Sequence, residues 1–108
     1  GTWKRRFCML DAGYLHYGES PNRAFDGIVL LRGARVEHSP ETASKRAHCF
    51  SVANRNRTYY FAAETEEEMV DWIVAVMAVI KEANSPSEIS QRIREEAGTA
   101  FVNPITKK

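Results

Sequence analysis

The hydrophobic period of this chain changes once, at Thr65, and this change limits the folds available to it. Before Thr65, short apolar segments alternate with turn-forming residues, a pattern typical of β-strands. At Thr65-Glu66-Glu67-Glu68 a capping box begins a helix, and the apolar residues then recur at helical spacing. The sequence therefore predicts a mainly β, α+β fold with a long helix at residues 65–83. The predicted apolar face of this helix is Met69, Trp72, Ile73, Val76, Met77 and Ile80.

Six segments before the helix have the composition of strands, with aromatic and β-branched residues between polar turns. The segment Asp11-Ala12-Gly13 predicts a tight hairpin loop, because Gly13 can adopt the left-handed conformation that such loops need. Pro40 and its polar neighbours predict a longer loop. The predicted strands are residues 3–10, 14–17, 27–31, 34–38, 47–53 and 58–63.

The composition is that of a globular domain, with 44% hydrophobic and 27% charged residues in a chain of 108. This length suits one domain, and no apolar run approaches the roughly 20 residues that cross a bilayer. Cys8 and Cys49 do not have the spacing of a metal or redox motif. We interpret both as reduced core thiols of a cytosolic protein, and a disulfide between them is the alternative.

A second, shorter helix is predicted after Asn84, at residues 86–97. Pro86 stands at the favoured first helical position, and Gly98 can end the helix. Its narrow apolar stripe would pack on its own domain or on a protein partner. We interpret residues 84–108 as a C-terminal extension of a domain at residues 1–83. The stripe consists of Ile89, Ile93 and Ala97.

Three cations, Lys4, Arg5 and Arg6, lead directly into the first apolar strand. Because side chains alternate along a strand, Lys4 and Arg6 share a face with Cys8, whereas Arg5 points the other way. If Cys8 faces the core, Lys4 and Arg6 lie where that core opens to water. Two cations fixed there by a rigid strand suit a multiply charged anion. A solvated basic end without a ligand is the alternative.

The net charge is only +1, but the charges are unevenly distributed. Short basic clusters occupy the first half, and an acidic block follows at residues 64–71. Such polarity orients a domain in the field of an anionic surface. A nucleic acid partner is not predicted, because it would require a higher net charge with aromatic residues interleaved among the cations.

Four strings stand out along the chain: Trp3-Lys4-Arg5-Arg6-Phe7, Leu15-His16-Tyr17, Arg57-Thr58-Tyr59-Tyr60-Phe61-Ala62-Ala63-Glu64-Thr65, and Glu68-Met69 with Trp72-Ile73. Their order along the chain resembles a pleckstrin homology (PH) domain of the phosphoinositide-binding type. The resemblance covers about residues 1–83. It implies a strongly bent antiparallel sandwich or partial barrel of about seven strands, capped at one end by the long helix.

The resemblance also implies a phosphoinositide site at the open end of the barrel. Lys4, Arg6, Phe7 and Cys8 match the second half of the family's lipid motif, a basic-x-Arg-apolar pattern. Tyr17 matches a third-strand tyrosine that often contacts a phosphate. The cations expected to touch head groups less specifically are Arg5, Arg23, Lys45 and Arg46.

The chain departs from the family pattern in two ways. The family's first strand and its lysine are missing from the start, and Glu19 stands where tight binders often have a cation. The tail offers a replacement strand, because Ile105-Thr106-Lys107-Lys108 reads like that first strand. Residues 101–108 would take its position, in the same molecule or a neighbour, and bring Lys107 or Lys108 to the phosphate site. A disordered tail is the alternative.

The predicted function is a membrane-targeting adaptor module in signalling, recruited from the cytoplasm to the membrane periphery by phosphoinositide head groups. The alternative is a protein-interaction PH domain with weak or no lipid binding, which uses helix 86–97. No catalytic motif occurs, so we predict neither an enzyme nor a cofactor nor a metal. The histidines His16, His38 and His48 lie on separate predicted strands.

Overall fold

The predicted strands and the predicted long helix are all present in a computed structural model, which describes residues 3–40, 45–84 and 101–108. Their bounds differ from the predicted ones by at most two residues, which confirms the mainly β fold with one long helix. The predicted helix at residues 86–97 lies outside the described residues. The elements are β1 (Lys4–Asp11), β2 (Tyr14–Gly18), β3 (Gly27–Leu30), β4 (Arg35–Ser39), β5 (Cys49–Ala53), β6 (Thr58–Ala62), α1 (Glu66–Asn84) and β7 (Phe101–Lys107).

The strands form one seven-stranded sheet in the order β3-β2-β1-β7-β6-β5-β4. All pairings are antiparallel. The last strand in the sequence, β7, therefore lies in the middle of the sheet and joins its two halves. It pairs along β1 from Lys4↔Lys107 to Leu10↔Phe101, and with β6 at Phe61↔Lys107 and Ala62↔Thr106.

The hairpin between β1 and β2 turns at Ala12 and Gly13, as predicted. Asp11 pairs with Tyr14 across the turn, and Gly13 has a φ of 81°, which glycine adopts without steric cost. The Asp11 carboxylate accepts a hydrogen bond of 2.7 Å from the N–H of Ala12. This turn fixes the register that places Cys8 opposite Tyr17.

The capping box begins α1 as predicted. The N–H of Glu68 donates to Thr65 Oγ1 at 3.1 Å, and the Glu68 carboxylate accepts from the N–H of Glu64 at 3.3 Å. Met69 and Trp72 are buried. The prediction that Met77 is also buried is wrong, since its side chain is 54% exposed. Met77 lies about 80° around the helix from Met69, at the edge of the apolar face.

The core lies between α1 and one face of the sheet, which we call the inner face. Cys8 and Leu10 are fully buried there, so the inner face of β1 is the one that also carries Lys4 and Arg6. Cys8 and Cys49 are both free and buried, which confirms the interpretation as core thiols. Burial raises the pKa of the Cys8 thiol to about 12, so this thiol stays protonated at neutral pH.

No helix in the described part of the chain is long and apolar enough to cross a membrane.

Candidate anion-binding site

Cations from β1, from β7 and from the turn before β6 converge on the inner face, at the end of the sheet away from the β1–β2 hairpin. Arg6 comes from β1, Lys107 from β7, and Arg57 immediately precedes β6. Both arginines lie close enough to Lys107 for their positive charges to lower its pKa. Lys4 pairs directly with Lys107 and therefore shares this face. We call Lys4, Arg6, Arg57 and Lys107 the inner cluster.

The Lys107 side chain contacts two tyrosine rings in the inner cluster, and its Nζ donates to the backbone oxygen of Lys108 at 3.1 Å. Its Nζ lies 4.5 Å from the ring centroid of Tyr17 and 5.6 Å from that of Tyr59. An ammonium above an aromatic face is attracted by the ring quadrupole, and the attraction grows as water is excluded. Lys107 is half-buried, so its long side chain is held in place rather than free in solvent.

Arg57 belongs to the inner cluster although it was not among the predicted site residues. Its guanidinium carbon lies 4.5 Å from the centroid of the Tyr59 ring. The signal was present in the alternation, because Arg57, Tyr59 and Phe61 share a face, and the apolar Phe61 marks that face as the inner one. The same reasoning that placed Arg6 beside Cys8 therefore also places Arg57 beside Tyr59.

The inner cluster is electrostatically crowded. Burial lowers the pKa of Lys107, and the positive charges of Arg57 and Arg6 lower it further. The Lys107 amine therefore binds its proton more tightly in the unfolded chain than in the folded domain. As a result, the free energy of unfolding increases as pH rises from the lowered pKa towards 10.5. At neutral pH the cluster is a concentration of like charge that an anion would relieve.

The other predicted site residues lie elsewhere. Arg5 is on the outer face of the sheet, where its guanidinium donates to Glu64 Oε1 at 2.9 Å. Lys108 also lies on the outer face, because alternation along the strand separates it from Lys107. Arg23 donates to Glu19 at 3.0 Å, so the acidic residue that stands where tight binders often have a cation forms an ion pair.

The loop that contains this ion pair forms an open cleft of about 290 Å³. Glu19, Arg23, Ala24 and Asp26 line it. With two carboxylates and one guanidinium, this cleft does not suit an anion. The inner cluster is therefore the better candidate for an anion site.

Gly27 sets the position of the Tyr17 ring. The two residues pair across β2 and β3, and a Cβ at Gly27 would overlap the Tyr17 phenol. A glycine at this position lets the phenol lie directly against the backbone of β3. Gly27 therefore acts as a positioning residue for the ring that lies beneath Lys107.

Replacing Gly27 by Ala is expected to destabilise the domain by about 1–3 kcal/mol, the usual cost of overpacking a well-filled site. Thermal denaturation of Gly27→Ala, Tyr17→Ala and the double variant measures this cost. In the Tyr17→Ala background the same change should cost little, because the overlapping ring is gone. An equal cost in both backgrounds would mean that Gly27 acts through the backbone instead.

The chain belongs to the PH domain family, whose family model matches residues 1–81. Strand β7 lies outside the matched residues. Src kinase-associated phosphoprotein 1 of Rattus norvegicus is 28% identical over 87 residues, 77% of this chain and 25% of that protein. Src kinase-associated phosphoprotein 2-A of Xenopus laevis is 30% identical over 90 residues, 80% of this chain and 27% of that protein. The chain thus spans about a quarter of these relatives.

Two solved PH domains have the same fold. The PH domain of ArhGAP27 superposes with a TM-score of 0.60 at 16% identity, covering 74% of this chain and 99% of that one. The carboxyl-terminal PH domain of pleckstrin gives a TM-score of 0.53 at 22% identity, covering 73% and 98%. At such identities the similarity shows the fold alone.

Proposed function

We propose that this domain binds the phosphorylated head group of a membrane phosphoinositide at the inner cluster, and is thereby recruited to the membrane periphery. In this proposal β7 takes the place of the family's first strand and supplies Lys107 as a site cation. The observation that carries the proposal is the convergence of Arg6, Arg57 and Lys107 at one end of the inner face. Bringing like charges together raises the electrostatic free energy of the folded domain, and a bound anion offsets this repulsion.

Each cation has a distinct role in this proposal. Arg6 and Arg57 offer planar donor forks, which suit bidentate contacts with phosphate oxygens. Lys107 is a point charge held by the rings of Tyr17 and Tyr59. Lys4 is exposed and extends the cluster towards solvent, where its ammonium can contact a second phosphate. Such a cluster favours adjacent phosphates over a single one.

The test is a calorimetric titration of the domain with a soluble inositol polyphosphate that carries adjacent phosphates. We expect saturable binding of one head group with micromolar affinity, and weaker binding at high salt because the contacts are ionic. Unphosphorylated inositol is the matched control and should not bind. If the inositol polyphosphate gives no heat of binding at low salt, the proposed function is wrong.

Head-group affinity is expected to fall as pH rises through the range below 10.5, the ordinary lysine pKa. Burial and Arg57 lower the pKa of Lys107 in the free domain, and a bound phosphate favours the charged form and raises it. Binding in this range therefore takes up a proton, and affinity is lost as Lys107 deprotonates. Titrations from neutral pH to about 10 measure this effect.

Lys107→Met is the control for this pH dependence, since Met retains the side-chain stem without the charge. Its affinity should be lower at neutral pH and should vary less with pH. The other titratable groups at this cluster are the phenols of Tyr17 and Tyr59, the ammonium of Lys4 and the phosphates of the ligand, whereas the Cys8 thiol, with a pKa of about 12, stays protonated in this range. An unchanged pH profile in Lys107→Met would assign the dependence to one of these groups and contradict the prediction.

A protein-interaction role is the second candidate function. The observation that favours it is a row of exposed apolar side chains on α1, where Val70, Val74 and Met77 are 45%, 60% and 54% exposed. These residues share one side of the helix at three- and four-residue spacing. The relatives are named for association with a Src kinase, which fits a partner protein. Absence of head-group binding in the titration above would favour this role.

A further inference from the structure

The sheet has two edge strands, β3 and β4, and their side chains differ. Arg35 and Glu37 are exposed on β4 and form an ion pair at 2.7 Å. Charged side chains on an edge strand are a common protection against pairing with another strand. Strand β3, Gly27–Leu30, has no charged residue, and its apolar Ile28 and Leu30 are 51% and 38% exposed. β3 is therefore the edge that is open to an additional strand.

The backbone of β3 directs hydrogen-bonding groups towards this edge. The N–H of Leu31 donates to the Gly13 carbonyl at 2.9 Å, directly beyond the last pair of β2 with β3. Because hydrogen-bonded and non-hydrogen-bonded pairs alternate in an antiparallel ladder, Ile28 and Leu30 direct their N–H and C=O groups away from β2. The Leu30 carbonyl agrees with this, since it accepts from the side-chain amide of Asn54 at 3.1 Å. A carbonyl has two lone pairs, so it can accept a second hydrogen bond.

These backbone groups specify an extended chain as the partner. Outward N–H and C=O groups on alternate residues are matched by another strand, which adds to the sheet through backbone hydrogen bonds. Beside them, the side chains of Ile28, Leu30 and Tyr14 form an exposed apolar patch on the outer face. An added strand with apolar side chains on this face would cover the patch.

The two ends of β3 carry opposite charges. Asp26 directly precedes the strand, and Arg32 follows it two residues after Leu30. Both are exposed, and within the described part of the chain neither has an ion-pair partner. An antiparallel partner therefore fits best when it carries a cation opposite Asp26 and an anion opposite Arg32.

A second copy of β3 meets all of these requirements. In an antiparallel pair of β3 strands centred on Val29, Ile28 of each copy lies opposite Leu30 of the other. The two outward-facing residues of each strand then form hydrogen-bonded pairs. In the same register Asp26 of each copy lies opposite Arg32 of the other, so two ion pairs form together. Such a contact is isologous, because both copies use the same surface.

We propose that the domain self-associates through β3 into an antiparallel two-fold dimer, in which two sheets are joined at this edge. The inference goes beyond the proposed function, since it uses neither the inner cluster nor a phosphorylated ligand. Only residues 26–32 of each copy and the adjoining side chains take part, so the contact is smaller than the interfaces of stable dimers. We therefore expect a weak, reversible dimer with a dissociation constant between the micromolar and millimolar ranges.

Sedimentation velocity over a range of protein concentrations measures the association, and charge reversal tests the register. Asp26→Arg places two guanidinium groups opposite each other, and Arg32→Asp does the same with two carboxylates. Each single variant should weaken self-association about tenfold, because both ion pairs of the dimer become repulsive. The double variant should restore it, and so should an equimolar mixture of the two single variants. Weakening that neither the double variant nor the mixture restores would overturn the proposal.

Ile28→Lys tests the strand edge itself, because it places a charge at the centre of the contact. Ile28 is half-exposed, so the variant should fold, which thermal denaturation checks, and its self-association should be lost. Val74→Lys is the matched control, since it places the same charge at an exposed apolar residue of α1 and should leave the association unchanged. If Val74→Lys abolishes the association and Ile28→Lys does not, the two copies meet through α1 and the proposal is wrong.

The head-group titration separates this inference from the proposed function. Ile28→Lys should bind a soluble inositol polyphosphate about as tightly as the unmodified domain, because Ile28 lies on the outer face and the inner cluster on the other. A domain that stays monomeric at millimolar concentration overturns the dimer and leaves the head-group site standing. A domain that self-associates through β3 but gives no heat of binding with the inositol polyphosphate leaves the dimer standing and overturns the proposed function.

Discussion

A chain that ends at residue 100 is expected to lose the cooperative unfolding transition of the full domain. Strand β7 lies in the middle of the sheet and joins β1 to β6. Without it, both neighbours lose a ladder of backbone hydrogen bonds, and the core loses Ile105, which is 2% exposed. Circular dichroism and thermal denaturation of the truncated chain test this expectation. A truncated chain that still melts cooperatively near the original temperature would contradict it.

A single substitution in β7 separates core packing from strand pairing. Ile105→Ala keeps the backbone ladder but removes buried apolar atoms, and is expected to cost about 2–5 kcal/mol of unfolding free energy. Thr106→Ala is the matched control, because Thr106 is the next residue and points to the outer face. Urea denaturation should show a much smaller change for the control. Similar losses in both variants would contradict this expectation and would mean that β7 stabilises the domain mainly through its backbone hydrogen bonds.

Most of the fold could be predicted from short-range signals. Two of them are the hairpin at Gly13 and the capping box at Thr65. Each depends on interactions between residues within a few positions of one another, so it can be predicted from the local sequence alone. The alternation in β1 also correctly placed Cys8 in the core and Arg5 on the opposite face.

The make-up of the inner cluster depends on long-range register, which the sequence does not reveal. Either Lys107 or Lys108 could have faced Lys4, and a shift of one residue between β1 and β7 exchanges them. The observed pairing of Lys4 with Lys107 decides this choice. The rings beneath Lys107 come from β2 and β6, far away in sequence. The exposure of Met77 has a similar reason. Helical spacing shows where the apolar face of α1 lies, but it does not show how much of that face packs against the sheet.

Replacing Lys4 and Arg6 together by Ala is expected to abolish head-group binding. Hydrogen bonds to charged groups contribute about 1.5–3 kcal/mol each, so losing two cations weakens binding by at least about a hundredfold. A calorimetric titration with a soluble inositol polyphosphate measures this loss. Arg5→Ala is the matched control: it removes an adjacent cation of the same type that lies on the outer face and pairs with Glu64. It should bind almost as tightly as the unmodified domain.

The stability of the same variants makes this result interpretable. Lys4 is exposed, and the charge of Arg6 lowers the pKa of Lys107, so Arg6 repels its neighbour in the unliganded domain. Removing these cations should therefore leave the melting temperature unchanged or slightly raise it. A loss of binding at unchanged stability identifies residues that contact the ligand. If binding survives the double substitution, the β1 part of the inner cluster is not the head-group site. If binding and stability both fall, Arg6 is a structural residue.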